Sequence, residues 1–350
     1  MDVKDDRKTI NEFSIATAIS VTEAIDGYTS GDNSFSCFDD PDDAIIDESS
    51  MPMELRGKKW KTERSLGEGG NYEVYLLSND DGLKYAMRWN RKQDRSITEN
   101  KKNEQRKNEQ RLFKSVLRME KHIKNALQLK EVIGHHPNIV SLIGFRKVNL
   151  FTQQIMEYID GGDLHDFIKI NYTKKDREME IRKVRSLFSD LLKAVKHIHR
   201  LCIAHMDIKA ENCLITLNGN LKLTDFDNAV HFGAGKKIFG LSYATKEYAA
   251  PETFSKEYRP DCADMWACGI VLHFLLKQGI PWEAAKRSDQ NYREWYKAKC
   301  KKYFFCFPPL YEDVSEFLLK MLEMDADKRA TVDEIITHRW LQYPGKTSEN

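Results

Sequence analysis

Residues 205–215 read His205-Met-Asp-Ile-Lys-Ala-Glu-Asn-Cys-Leu-Ile215, and residues 221–227 read Leu221-Lys-Leu-Thr-Asp-Phe-Asp227. Two short apolar runs, Cys213–Ile215 and Leu221–Leu223, flank Leu217-Asn-Gly-Asn220. Asn-Gly between apolar runs signals a β-hairpin. Asp207, Lys209 and Asn212 lead into the first run, and Asp225 leaves the second. A hairpin brings both ends together, so these four polar groups converge. Asp207 suits the removal of a hydroxyl proton, and Lys209 the neutralisation of a transferring phosphoryl group. Asn212 and Asp225 offer hard oxygen ligands of the kind Mg²⁺ takes. Phosphoryl transfer needs mostly positioning and charge neutralisation, which this set supplies. The plain alternative is a polar hairpin without chemistry.

The string H-x-D-x-K-x-x-N followed by D-F-x resembles the catalytic loop and metal-binding turn of eukaryotic protein kinases. The resemblance implies an α+β, two-lobed protein kinase fold, with a small β-rich N-lobe and a large helical C-lobe. It covers residues 58–343, the N-lobe over 58–158 and the C-lobe over 159–343, before a short tail at 344–350. It implies ATP and Mg²⁺ as cofactors, with Asp207 and Lys209 catalytic and Asn212 and Asp225 as metal ligands. Lys209, where tyrosine kinases carry arginine, points to protein Ser/Thr hydroxyls as acceptors.

The rest of the domain follows the same pattern. Leu66-Gly-Glu-Gly69 to Val74 resembles the glycine-rich loop over the phosphates, and Tyr85-Ala-Met-Arg-Trp89 the third strand. His135–Val140 matches the loop before the fourth strand. Gln154–Ile159 and Asp160–Leu164 match the strand and hinge between lobes. The resemblance therefore assigns nucleotide contacts to Leu66, Gly67, Gly69 and Val74 in the loop and to Ala86 and Arg88 in the strand. It places Met156 behind the adenine, the backbone of Glu157 and Ile159 on its edge and Asp163 at the ribose, and counts Leu214 among the nucleotide contacts. Thr245 stands where Ser/Thr kinases carry a threonine that contacts the catalytic Asp and Lys. Ala250-Pro-Glu252 resembles A-P-E, with Arg329 as the buried partner of Glu252. Asp264-Met-Trp-Ala-Cys-Gly269 resembles D-x-W-x-x-G, whose Asp caps the catalytic loop. Arg182–Arg200 shows helical apolar spacing and scaffolds that loop. Cys268–Leu272, Pro281-Trp-Glu283, Tyr292–Trp295 and Arg339-Trp340 are most similar to the DNA-damage checkpoint kinase branch, so the chain reads as a divergent member. The regulatory region that follows the domain in that branch is not expected here.

Four positions depart from the pattern. Tyr72 replaces the third loop glycine, Arg88 the strand lysine, Asp227 the D-F-G glycine and Met206 the H-R-D arginine. The helix glutamate that pairs with the strand lysine has Glu120 as its candidate, in a helix following a tandem repeat, Lys102–Arg106 and Lys107–Arg111. Two readings stay open: a Ser/Thr kinase that transfers the ATP γ-phosphate, and a pseudokinase that binds nucleotide or partners. Under the first, Arg88→Lys is expected to raise transfer.

Charge and composition bound the rest. Residues 1–50 hold 13 acidic and 3 basic side chains, which leaves 52 basic against 41 acidic elsewhere. Residues 1–55 are expected to be an acidic, disordered tail. The dispersed basic excess reads as a solvated surface with some preference for acidic partners, rather than a direct nucleic-acid site. The resemblance places the Glu211 and Asp163 carboxylates where related kinases meet an arginine, so protein substrates with basic residues upstream of the Ser or Thr are expected. Seven cysteines without zinc spacing fit reduced thiols in the nucleus or cytoplasm. The polar start is not expected to be a signal peptide. The apolar run at Cys268–Leu276 is too short for a membrane span.

Overall fold

Alternation along residues 72–90 builds the first half of the structure. Tyr75, Leu77, Tyr85, Met87 and Trp89 alternate with Val74, Leu76, Ala86 and Arg88, and a period of two lines one face of a sheet with each set. A computed structural model describes residues 46–47, 52–68, 72–90, 122–148, 151–171, 181–233, 235–239, 245–255, 257–298 and 312–342. Strands β1 (Ile46–Asp47), β2 (Trp60–Glu68), β3 (Tyr72–Asn79), β4 (Lys84–Asn90), β5 (Leu142–Val148) and β6 (Phe151–Glu157) form one sheet in the order β1-β5-β6-β4-β3-β2. Every pairing in it is antiparallel. One face carries a small core of Leu55, Leu77, Met87 and Ile155, with Trp60, Tyr75, Tyr85 and Trp89 packed on it. Trp60 meets Tyr85 edge to face at 5.4 Å.

The order expected to start near residue 58 begins earlier. Ile46–Asp47 pairs with Val148 and Lys147 on β5, and Leu55 is buried in the sheet's core. The acidic stretch ends in apolar residues, Ile45-Ile46 and Met51 to Leu55. An edge strand with open backbone groups accepts such a segment.

The chain divides into two compact units, Met1–Leu127 with Leu142–Tyr158, and Gln128–Ser141 with Ile159–Asn350. The second unit is helical. Residues 122–133 form α1, of which 122–127 count with the first unit and 128–133 with the second. The helices wholly within the second unit are α2 (Leu164–Asn171), α3 (Ile181–Arg200), α4 (Pro260–Lys277), α5 (Gln290–Lys297), α6 (Glu312–Met321), α7 (Val332–Ile336) and α8 (Arg339–Gln342). The predicted apolar stripe of α3, Val184, Leu187, Phe188, Leu191, Leu192, Val195 and Ile198, is wholly buried. Helix α4 is apolar on all sides and buries residues from Pro260 to Leu275, as a central helix must. Gly269 makes this possible: a Cβ there would lie 2.7 Å from Leu322 Cδ2. Trp266, Trp282, Tyr292 and Trp295 cluster around α4, with ring centroids 5.0 to 5.9 Å apart. Thr331 and Glu334 close a capping box on α7. Among the described residues, no helix is long and apolar enough to cross a membrane. The tandem repeat, Glu120 and Gly69 lie outside the described residues.

Candidate active site

The predicted hairpin is present. After the short strand β7 (Ile203–Ala204), strand β8 (Cys213–Ile215) pairs antiparallel with β9 (Leu221–Leu223), in the register Cys213 with Leu223 and Ile215 with Leu221. The turn takes five residues. Thr216 N donates to Asn220 O at 2.9 Å, Gly219 N donates to Thr216 O at 2.7 Å, and Gly219 adopts φ +79°, a conformation that suits glycine. The outer edge of β9 is also bonded. Leu221 N donates to Asp190 Oδ2 on α3, and Asn138 Nδ2 donates to Leu221 O. Leu223 N donates to Asn138 O, and Val140 N donates to Leu223 O.

This hairpin and the preceding loop gather the predicted catalytic set. Lys209 Nζ lies 3.0 Å from Asp207 Oδ2. Thr245 Oγ1 donates to Asp207 Oδ1 at 2.7 Å, and Lys209 Nζ donates to Thr245 Oγ1 at 3.2 Å. Asn212 Nδ2 donates to Asp207 O at 2.8 Å and to Asp207 Oδ2 at 3.2 Å. Asp207 and Asn212 are buried, and Lys209 is about four-fifths covered. Asp207, Lys209, Asn212 and Thr245 thus form one bonded group. Asp225 joins through the backbone: Thr224 N donates to Asn212 O at 2.9 Å. Asp225 itself is left-handed, φ +68°, and opens the short 3₁₀ turn Phe226–Asn228. Asp and Asn tolerate this conformation better than bulkier residues.

These residues fit a hard cation. The nitrogen side of the Asn212 amide is committed to Asp207, so Oδ1 is its ligand atom, and Asp225 adds a carboxylate. Oxygen donors of this kind hold Mg²⁺.

The loop is clamped from below by Asp264 of α4. His205 N donates to Asp264 Oδ2 at 2.7 Å, and Met206 N donates to Oδ1 at 2.9 Å. His199 Nε2 lies 3.0 Å from the same Oδ2. Asp264 is fully buried, so these N–H groups compensate its charge. The clamp holds Met206 at φ +67°, with its side chain buried. His205 bridges the two ends of the site: Nε2 contacts Thr224 O at 2.9 Å, and Asp207 N donates to Nδ1 at 3.2 Å. Ala210 N donates to the buried Tyr248 hydroxyl at 3.4 Å, and burial pushes that phenol's pKa up.

Glu252 and Arg329 form the expected ion pair. Nη2 donates to Oε2 at 3.0 Å, Nη1 also reaches the carboxylate, and the guanidinium further donates to Cys262 O and Glu323 O. Of the activation segment, residues 225–233, 235–239 and 245–252 are described, and Ser242 and Tyr243 lie outside the described residues.

The predicted nucleotide residues divide between the units. Register places Val74, Arg88 and Gln154 in one row across the sheet, and Leu76, Ala86 and Met156 in the next. Cross-strand partners share a face, so Val74, Ala86, Arg88 and Met156 all lie on the face opposite the small core. Gly67 pairs with Val74 at the end of β2, beside the half-buried Leu66. Glu157 pairs with Tyr85 and so belongs to the other face, where its predicted contact, a backbone one, is indifferent to side-chain direction. In the second unit Asp163 and Leu214 meet through an antiparallel bridge, and Ile159 opens the segment leading to them. Asp163 Oδ1 accepts from Asp166 N at the start of α2, and burial raises its pKa.

Sequence reading missed several supports. Asp190 and Asn138 hold β9, whereas the sequence pattern shows α3 only as a scaffold and the 135–140 loop only as the lead-in to a strand. His199 sits at the end of an amphipathic helix and carries no motif. The signal for Asp190 was available as a lone carboxylate within the buried stripe of α3, where an acid needs a partner.

Comparison with known proteins agrees with this geometry. The model of the family described as protein kinase domain matches residues 60–341. Human serine/threonine-protein kinase DCLK3 is 33% identical over 223 residues, 61% of this chain and 32% of that protein. The rice (Oryza sativa subsp. japonica) CBL-interacting protein kinase 22 is 30% identical over 227 residues, 63% of this chain and 48% of that protein. The chain thus matches about a third of the length of the first of these relatives and about half of the second. With four fifths of its length matched by one family, and the catalytic string folded into one bonded group, the chain belongs to the protein kinase domain family.

Proposed function

We propose that this protein is a serine/threonine protein kinase that transfers the ATP γ-phosphate to protein hydroxyls. The observation that carries the reading is the bonded group of Asp207, Lys209, Asn212 and Thr245. Asp207 orients the acceptor hydroxyl and takes its proton. The new bond joins that oxygen to the γ-phosphorus, and the bond to the β-phosphate oxygen breaks. Lys209 Nζ neutralises charge on the moving phosphoryl oxygens, and Thr245 fixes the Asp207 carboxylate through Oδ1. Mg²⁺, held by Asn212 and Asp225, would offset the charge of the phosphates. The Asp264 clamp and the Asn138–Asp190 edge keep these groups in place without taking part. A radiolabel transfer assay tests the reading. Transfer by wild type should exceed that of Asp207→Asn by roughly a thousand-fold, the order expected for loss of a proton acceptor. Equal transfer by the two proteins would sink it.

A second reading, a nucleotide-binding pseudokinase, draws on one observation: Arg88 is buried and stacked on Tyr72 where the family carries lysine and glycine. Finer features remain part of the proposal. A checkpoint-like subtype is supported by the tryptophan cluster around α4. A basic residue upstream of the target hydroxyl is supported by the exposed Glu211 beside Asn212. A nuclear or cytoplasmic setting is supported by the cysteines, four of which, Cys202, Cys213, Cys262 and Cys268, are free thiols in the structure.

A further inference from the structure

Two departures from the family pattern touch each other. Tyr72 opens β3, and Arg88 lies in β4 opposite Val74, a diagonal step away on the same face. The Arg88 guanidinium carbon lies 3.5 Å from the centroid of the Tyr72 ring. That is full contact between a planar cation and a ring. Arg88 is only 6% exposed, and Nη1 donates to Gln154 Oε1 at 3.4 Å. A guanidinium stacked by its face directs its N–H donors within its own plane, the geometry that meets phosphate oxygens two at a time. An ammonium has no such plane. The ring therefore does more than fill the place of a glycine. It sets the orientation of the charge in the neighbouring strand.

We propose that Tyr72 is the positioning residue of Arg88, and that the pair acts as one unit that grips the nucleotide phosphates. This rests on the nucleotide-binding reading above. The pairing adds an expectation for nucleotide binding by Arg88→Lys, separate from the expected rise in transfer. Alone, that change leaves the ring without its partner and puts a point charge where a fork was seated, so binding weakens.

The test is calorimetric titration of Mg-ATP into the full chain, as a mutant cycle. Wild type, Tyr72→Phe, Tyr72→Leu, Arg88→Lys and the double Tyr72→Leu/Arg88→Lys are compared, with nucleotide-free melting temperatures beside each. Tyr72→Phe keeps the ring and should bind as wild type. Tyr72→Leu and Arg88→Lys should each raise Kd about three- to ten-fold, the range of a partly buried cation–π contact. The double variant should bind no more weakly than the weaker single one. Multiplying effects, tighter binding by Tyr72→Leu, or equal damage from Tyr72→Phe and Tyr72→Leu would each overturn the proposal. So would a lowered melting temperature in Tyr72→Leu with Kd unchanged. If wild type binds no Mg-ATP at millimolar concentration, the nucleotide reading itself fails and the pair falls with it.

Discussion

Asp264→Asn should destabilise the helical unit and slow transfer together. The Asp264 carboxylate accepts three N–H groups, from His205 N at 2.7 Å, Met206 N at 2.9 Å and His199 Nε2 at 3.0 Å. In the amide, one oxygen becomes an NH₂ group that can only donate. At least one buried N–H then faces another donor, and the remaining bonds lose their charge. A buried donor left unsatisfied costs about 1–3 kcal/mol, and a bond to a charged group is worth about 1.5–3 kcal/mol. The expected loss is therefore about 2–4 kcal/mol. Met206 adds to the effect, because its left-handed backbone is a strained state that persists only while the clamp holds. Relaxation there moves Asp207, the next residue, and a shift of about 1 Å can cost on the order of 100-fold in rate. Urea unfolding followed by tryptophan fluorescence measures the first effect, since Trp266, Trp282 and Trp295 all pack in this unit. The radiolabel assay measures the second. A loss under about 0.5 kcal/mol with full activity would refute the clamp as described.

Three further outcomes are expected. Glu252→Gln leaves the fully buried Arg329 side chain without its counter-charge, so it should cost about 3 kcal/mol in the same urea assay; replacing both residues by methionine should cost less than Glu252→Gln alone. Burial pushes His273 from its usual 6.5 down to about 4, with Nδ1 donating to Gly279 O. Below pH 6.5 the unfolded chain binds a proton there that the folded chain refuses, so stability should fall as pH drops from 6.5 towards 4, by up to about 3 kcal/mol. His273→Leu should flatten that slope in melting curves across the window, and an unchanged slope would count against the assignment. Activity should not depend on a phosphate in the activation segment, because Met206, buried and uncharged, stands where the family's arginine reads one; phosphatase treatment that abolished transfer, with the lost phosphate mapped between Asp225 and Glu252, would show otherwise.

The bonded group proposed as catalytic was legible because its parts are contiguous. Asp207, Lys209 and Asn212 lie within six residues, and the hairpin that brings Asp225 to them is coded by one Asn-Gly turn. Arg329 and Glu252 are far apart in sequence, but each belongs to a motif, so their pairing was also readable. Tyr72 and Arg88 were each visible as departures, yet their contact was not. It depends on strand register, and register is fixed by turn length and by which face is buried. The same holds for Asn138 and Asp190, whose partners are backbone groups that no side-chain pattern announces. The early start of the sheet was hidden by composition: in a net acidic stretch, neither the backbone pairing of Ile46–Asp47 nor the one buried Leu55 makes a strand pattern.

Strand β9 has a further consequence. Leu221 and Leu223 are bonded on their outer edge by the loop around Asn138 and by Asp190 of α3. A three-residue strand thus behaves as an interior one, with its position along the chain direction fixed from outside the hairpin. A change of one residue in the length of the 134–141 loop would slide that reference and carry Asp225 with it. This loop, buried at Asn138, Ile139 and Val140 and carrying no predicted catalytic group, should therefore be as intolerant of insertions and deletions as the catalytic string itself.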